Sequence, residues 1–386
     1  MKIFYFSGTK LPSQNPTSVH AMKMAQAFGM AGHDVTVFAK SLNNAASEDI
    51  FKIYNTQPCF KLHLSSNIKI PLISAAKKTM DFSRKMAKLD KPDLVYGHDP
   101  IALALLAPEG TQIIFEAHNI PRFSAHRMAM NKLIKNPDLK CIIAASDVLK
   151  QELLRVYPNL NSEQIFVAHD GADLTNTLNQ YDTTVTLKGR DDCYNVGYAG
   201  ALHPGKGLAL ISRLARIRPN YDFHVLGGTD KQVETHRQTN TLRNLYFYGH
   251  RDHAEVIAYL KTFDVCLAPY QHRALIKTGR NTTRWISPMK IFEYMAAQKP
   301  IICSNLPVIN EILDHNHNAV IVPASNEEKW GDAIDMLKND PEFAENLGIN
   351  AFNSLEENYT WDKRAHAILE FALSTKSPML FTCRTG

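Results

Sequence analysis

Hydrophobic and polar positions alternate along this chain in a repeating order. A short apolar run is followed by a longer stretch with a helical period, then by another apolar run. "KIFYF" at 2–6 has no polar alternation, as expected of a strand covered on both faces. After the loop "SGTKLPSQNPTS", "VHAMKMAQAFGMAGH" reads as a helix ending at Gly32, and "DVTVFAK" as the next strand. That βαβ order implies a parallel sheet. Further strands are predicted at 93–98, 111–118, 140–146 and 165–171. A polar stretch, "DLTNTLNQYDTTVTLKGRDDC" at 173–193, has neither period and is read as the boundary between two domains. A second series follows at 194–200, 222–228, 245–250, 264–270, 300–305 and 319–323, and the remainder reads as helical. The expected organisation is α/β throughout, with ligands beyond the carboxyl ends of the strands and in a cleft between the halves.

Composition adds bounds. The chain has 386 residues, of which 45% are hydrophobic and 21% charged, an ordinary globular balance that is too long for one small core. The net charge of +5 is far from that of a nucleic-acid-coating protein, so nucleic acid is not expected as a partner. Six cysteines include no C-x-x-C pair, which argues against zinc, and a reduced cytoplasmic protein is expected. The longest apolar run, about "IALALLAP", falls short of the roughly 20 residues that span a bilayer. The basic stretch 72–91, with Lys77, Lys78, Arg84, Lys85, Lys88 and Lys91, reads either as a peripheral contact with an anionic membrane or as a solvated helix face.

Several stretches carry candidate chemistry. In "GYAGALHPGKGLALI" a strand ends at Gly200, and a glycine-rich loop bearing Lys206 enters a helix. Such a junction can meet a phosphate; it can equally be an ordinary turn with a solvated lysine. In "SPMKIFEYMAAQKP", Ser287 is placed to cap a helix that has Pro288 in its first turn. The N–H groups of Met289 and Lys290 would then be open to an anion. Glu293 lies one turn further in, among apolar neighbours, where a carboxylate needs a partner. Vicinal hydroxyls such as those of a ribose would serve, and so would a buried Arg or Lys. "FEAHNIPR" delivers His118 to a strand end, and His98 and Asp99 stand at another; each could touch substrate or simply cap backbone groups. "HDGAD" at 169–173 reads as a turn with Gly171 at positive φ.

Taken together, these segments resemble the retaining glycosyltransferases of the GT-B fold, family 4, in that family's order over nearly the whole chain. The most specific piece is "SPMKIFEYMAAQKPIICSNLPVINEIL". The resemblance implies an N-terminal Rossmann-like acceptor domain over 1–185 and a C-terminal nucleotide-sugar domain over 190–360. A helix at 361–374 would pack back on the first domain. It implies that Lys206 binds the donor diphosphate and that Glu293 holds the ribose hydroxyls. Gly200, Ser287, Pro288, Met289 and Lys290 would line the phosphates, with Gly8 approaching them from the first domain, and His118 would stand near the transferred sugar. Donor chemistry would be metal-independent, with no cofactor and a front-face attack by the acceptor hydroxyl. The acceptor would be a glycan or a lipid-linked intermediate. Two positions depart from the family pattern. Trp285 stands where the first glutamate of E-x7-E is usual, and Ala201 where an arginine often precedes the phosphate lysine. Arg280 or Arg284 are candidates for the missing charge. The alternatives are a non-catalytic GT-B partner subunit that binds nucleotide or glycan, and a nucleotide-sugar epimerase, for which no acid–base carboxylates can be placed.

Overall fold

The computed structural model describes residues 1–374 except 14, 43–45, 67–70, 122, 175–184, 273–283 and 286; for 71–75, 253 and 254 it describes the backbone alone. The chain divides into two compact units. The first comprises Met1–Ala145, Leu149–Ala168 and the residues from Asp362, and the second Ser146–Val148 and His169–Trp361. The change of unit therefore falls at 168/169, ahead of the polar stretch.

The first unit is built on β1 (Lys2–Leu11), β2 (Asp34–Ser41), β3 (Lys61–Ser65), β4 (Leu94–Gly97), β5 (Gln112–Ala117), β6 (Leu139–Ala144) and β7 (Ile165–Val167). They pair in parallel in the order β3-β2-β1-β4-β5-β6-β7. Side chains on both faces are buried: Ile3, Phe4, Tyr5 and Phe6 in β1 and Ile113 and Ile114 in β5 are all closed to solvent. That is why the strands read as continuous apolar runs rather than alternating ones. The second unit holds β8 (Asn195–Ala199), β9 (Asp222–Leu226), β10 (Leu245–Gly249), β11 (Val265–Ala268), β12 (Ile301–Ser304) and β13 (Val320–Val322), in the parallel order β10-β9-β8-β11-β12-β13. Its strands sort by parity into two cores. Cys266, Ala268, Ile301 and Cys303 join one cluster, and Val265, Leu267 and Ile302 the other.

Three local expectations change. β1 does not stop at Phe6 but runs to Leu11, with its pairing register to β2 shifted between Phe6 and Lys10. Gly8 thus lies in a strand, not a loop. It is exposed, and an added Cβ would make only ordinary contacts with His98 and Asp99. Gly171 is not among the positive-φ glycines; a Cβ there would meet the Tyr359 carbonyl oxygen at 2.3 Å, so backbone proximity is what requires glycine. β3 has no clean apolar pattern, because only Ser65 of "KLHLS" is fully buried.

Among the described residues no helix is long and apolar enough to cross a membrane. In the basic helix Pro71–Met86, Lys78 and Phe82 face inward while Met80 is exposed. Lys78 pairs with Asp99, so one of the six cations is lost to the interior.

Candidate functional site

In the second unit, the site is assembled where β8 ends. Helix Met289–Ala296 packs there because Tyr294 is fixed to the sheet: its hydroxyl accepts from the Ala199 N–H at 2.8 Å and lies 3.2 Å from the Leu267 carbonyl oxygen. Lys290, one turn earlier on the same face, is carried to the strand end. Its Nζ lies 3.7 Å from the Tyr198 ring centroid and 5.0 Å from that of Tyr270. Gly200 makes room for this amine, since a Cβ there would stand 2.7 Å from Lys290 Nζ. From the other direction comes Lys206. Gly207, at φ 109°, caps helix Leu208–Ile217, and the turn before it places Lys206 Nζ 4.8 Å from the same Tyr270 ring.

Both lysines are more than nine-tenths buried. Burial lowers Lys206 to about 8. Burial first, and then repulsion from Lys206, puts Lys290 well below the ordinary lysine range. Glu293, three residues on from Lys290, keeps part of its side chain at the surface, yet burial raises its carboxyl to about 7 against the pull of Lys290. Lys290 thus lies near enough to both Lys206 and Glu293 to feel their charges, and the Tyr270 ring, which carries both lysine amines, feels the Glu293 charge as well.

The start of the helix differs from expectation. Pro288, not Ser287, is the capping residue, with no side-chain bond. The Ser287 hydroxyl instead accepts from the Asp170 N–H at 2.9 Å, and the Met289 N–H donates to the Ser287 carbonyl at 3.1 Å. Met289's N–H is therefore spent locally. Trp285 is half-buried, and Arg284 is exposed with its guanidinium 5.9 Å from the Trp285 ring. Arg280 lies outside the described residues.

In the first unit, His118 follows β5 and is half-buried, with its ring 4.6 Å from His20 and 5.3 Å from His98. Beneath it sits Glu116, which the pattern reading passed over. Its Oε1 lies 2.6 Å from Arg364 Nη2, 2.9 Å from His20 Nε2 and 3.4 Å from His118 Nε2, and its other oxygen accepts from the Tyr96 hydroxyl. Burial would raise this carboxyl; Arg364 and the two imidazoles hold it below the usual range instead. The available signal was a charged residue inside the apolar run "IIFEAH". His20, Glu116 and His118 offer ligand atoms within 4.8 Å of one another, a metal-like spacing, but the Arg364 guanidinium already sits on the shared oxygen. Asp99 takes a structural part. It accepts from the Ile101 and Ala102 N–H groups at the start of helix Pro100–Leu106 and pairs with Lys78.

The model of glycosyl transferases group 1 matches residues 193–340, and that of glycosyltransferase family 4 matches residues 17–176, so that between them they cover most of the chain. The chain belongs to glycosyltransferase family 4. Within that family it is similar to the putative teichuronic acid biosynthesis glycosyltransferase TuaH of Bacillus subtilis, 26% identical over 46% of this chain and 44% of that protein. The putative glycosyltransferase YtcC of the same organism is 23% identical over 72% of this chain and 71% of its own length. The chain thus spans less than half of the first relative and about seven-tenths of the second. Its fold is that of GT-B proteins. Anabaena Alr3699/HepE in complex with UDP and glucose superposes with TM-score 0.70 and 17% identity, covering 97% of this chain and 100% of that one. Sucrose-phosphate synthase from Thermosynechococcus elongatus superposes with TM-score 0.72 and 17% identity, covering 96% and 97%.

Proposed function

We propose that this protein is a retaining glycosyltransferase. It takes a sugar from a nucleotide-sugar donor and passes it to a glycan or lipid-linked acceptor, without metal or other cofactor. The observation that carries the reading is that the Lys206 and Lys290 amines share the Tyr270 ring just past β8, with the Glu293 carboxyl near enough to act on Lys290. A donor presents a pyrophosphate and a ribose diol side by side, and the amines and the carboxyl answer both.

In the reaction, the bond between the anomeric carbon and the diphosphate oxygen breaks as the acceptor oxygen bonds to that carbon. The acceptor's proton passes to the leaving phosphate. Negative charge grows on the diphosphate, and Lys206 stabilises it in a site from which water is largely excluded. Glu293 accepts from the ribose hydroxyls, and His118 stands at the transferred sugar. Support for a diphosphate-sugar donor also comes from the HepE complexes with UDP and with UDP-glucose. The similarity to TuaH, named as a putative glycosyltransferase of teichuronic acid biosynthesis, is in keeping with a glycan or lipid-linked acceptor.

Thermal-shift titration with UDP, GDP, ADP and CMP tests the donor site, and slow release of free sugar from the matching nucleotide-sugar tests catalysis. One nucleotide should raise the melting temperature, and its sugar should be hydrolysed. Protein stabilised by none of the four would overturn the reading. Binding without any hydrolysis would favour a non-catalytic partner subunit.

A further inference from the structure

Lys290 is 8% exposed, and its Nζ has no hydrogen-bond partner among the described residues. Its nearest company is two tyrosine faces, Tyr198 at 3.7 Å and Tyr270 at 5.0 Å from ring centroid to amine. A buried amine without an acceptor costs free energy that the tyrosine faces offset only in part. A second amine, Lys206, approaches the same Tyr270 ring from the opposite chain segment. Glu293 is the acid whose charge reaches Lys290, with Asp173 close to Glu293 in turn, but neither carboxylate is hydrogen-bonded to the Lys290 amine. Ala201, the residue after the strand-end Gly200, brings no cation of its own, and the Lys290 amine fills the space against Gly200.

We propose that the Lys290 side chain is a second ammonium ligand of the donor's diphosphate, working with Lys206. This deepens the donor-site reading and rests on it. The two amines would hold the two phosphoryl groups from different elements, one from the loop after β8 and one from helix Met289–Ala296. Both give up protons more readily than surface lysines, so an arriving diphosphate should draw a proton from solution onto the site. Affinity should therefore fall as pH rises through about 8, where Lys206 titrates.

The test uses the full chain and inorganic pyrophosphate, titrated calorimetrically in two buffers of different ionisation enthalpy. Wild-type protein should bind with net proton uptake. Lys290→Met should bind at least tenfold more weakly with reduced uptake, while its melting temperature stays equal or rises. Should the methionine variant not fold, Lys290→Gln gives the same comparison. A variant that binds pyrophosphate with wild-type affinity and the same proton uptake would overturn the proposal, leaving Lys206 as the sole amine on the anion. Wild-type protein that ignores pyrophosphate also overturns it, and the donor reading is then decided separately by the nucleotide titration.

Discussion

Single side chains carry the sharpest consequences. Lys206 is a buried amine with a ring beneath it and no salt bridge among the described residues, an arrangement suited to an incoming anion. Lys206→Ala should lower turnover about 10²-fold or more, the scale of losing one donor aimed at developing charge, with little change in melting temperature; steady-state kinetics alongside calorimetry checks this. His224 gives a pH effect instead. It is fully buried, holds Tyr248 and Asn195 at 2.9 Å each, and stacks on Tyr246 and Phe263. Burial lowers its pKa from 6.5 to about 4. The unfolded chain therefore binds the extra proton first. His224's contribution is complete above pH 6.5 and is lost as pH falls toward 4. Between pH 7 and pH 5 the loss is about 2 kcal/mol. Urea unfolding at the two pH values should show a smaller difference for His224→Gln than for wild type.

At the scale of elements, the site depends on anchors that are not themselves chemical. Helix Met289–Ala296 is only 8 residues long, too short to hold its position by its own propensity. Tyr294 ties it to β8 and β11, so Tyr294→Phe should cost about 1–3 kcal/mol through the unmet Ala199 N–H and weaken nucleotide binding with it. Gly171→Ala should be destabilising by more than a surface change, because the new methyl would strike the Tyr359 carbonyl and neither partner is a flexible side-chain end. Denaturant midpoints measure both.

Much at this scale was legible in the chain. The apolar runs at 93–98, 111–118, 222–228 and 300–305 became β4, β5, β9 and β12, because a strand buried on both faces reads as a mostly apolar run even where Glu116 or His224 interrupts it. β3 was missed because its residues are mostly half-exposed and carry no period. Ser287 reads as a helix cap from its neighbours, but its hydroxyl is taken by Asp170, more than a hundred residues away, and no local rule encodes that competition.

Over the whole molecule, long-range charge pairing ties distant segments together inside the first unit. Arg364, from helix Trp361–Ser374, meets Glu116 of β5 and the carbonyl of Ala168, and all three groups are buried. Removing one partner leaves an uncompensated buried charge, so Arg364→Met should destabilise by about 3–5 kcal/mol. The paired change Arg364→Met with Glu116→Gln should recover part of it. Calorimetry on the two variants separates a true charge pair, which shows such coupling, from independent packing effects, which would simply add.

From the chain alone came the two α/β series, the family, and Lys206 and Glu293 as candidates, because backbone period and short motifs are local properties. Tertiary structure decided which side chains share a space. It brought the Lys290 amine against Gly200, took the Asp99 carboxylate for Lys78 and a helix cap, and set Glu116 among His20, His118 and Arg364. Burial and the distance between charges govern those assignments, and both depend on residues far apart in sequence.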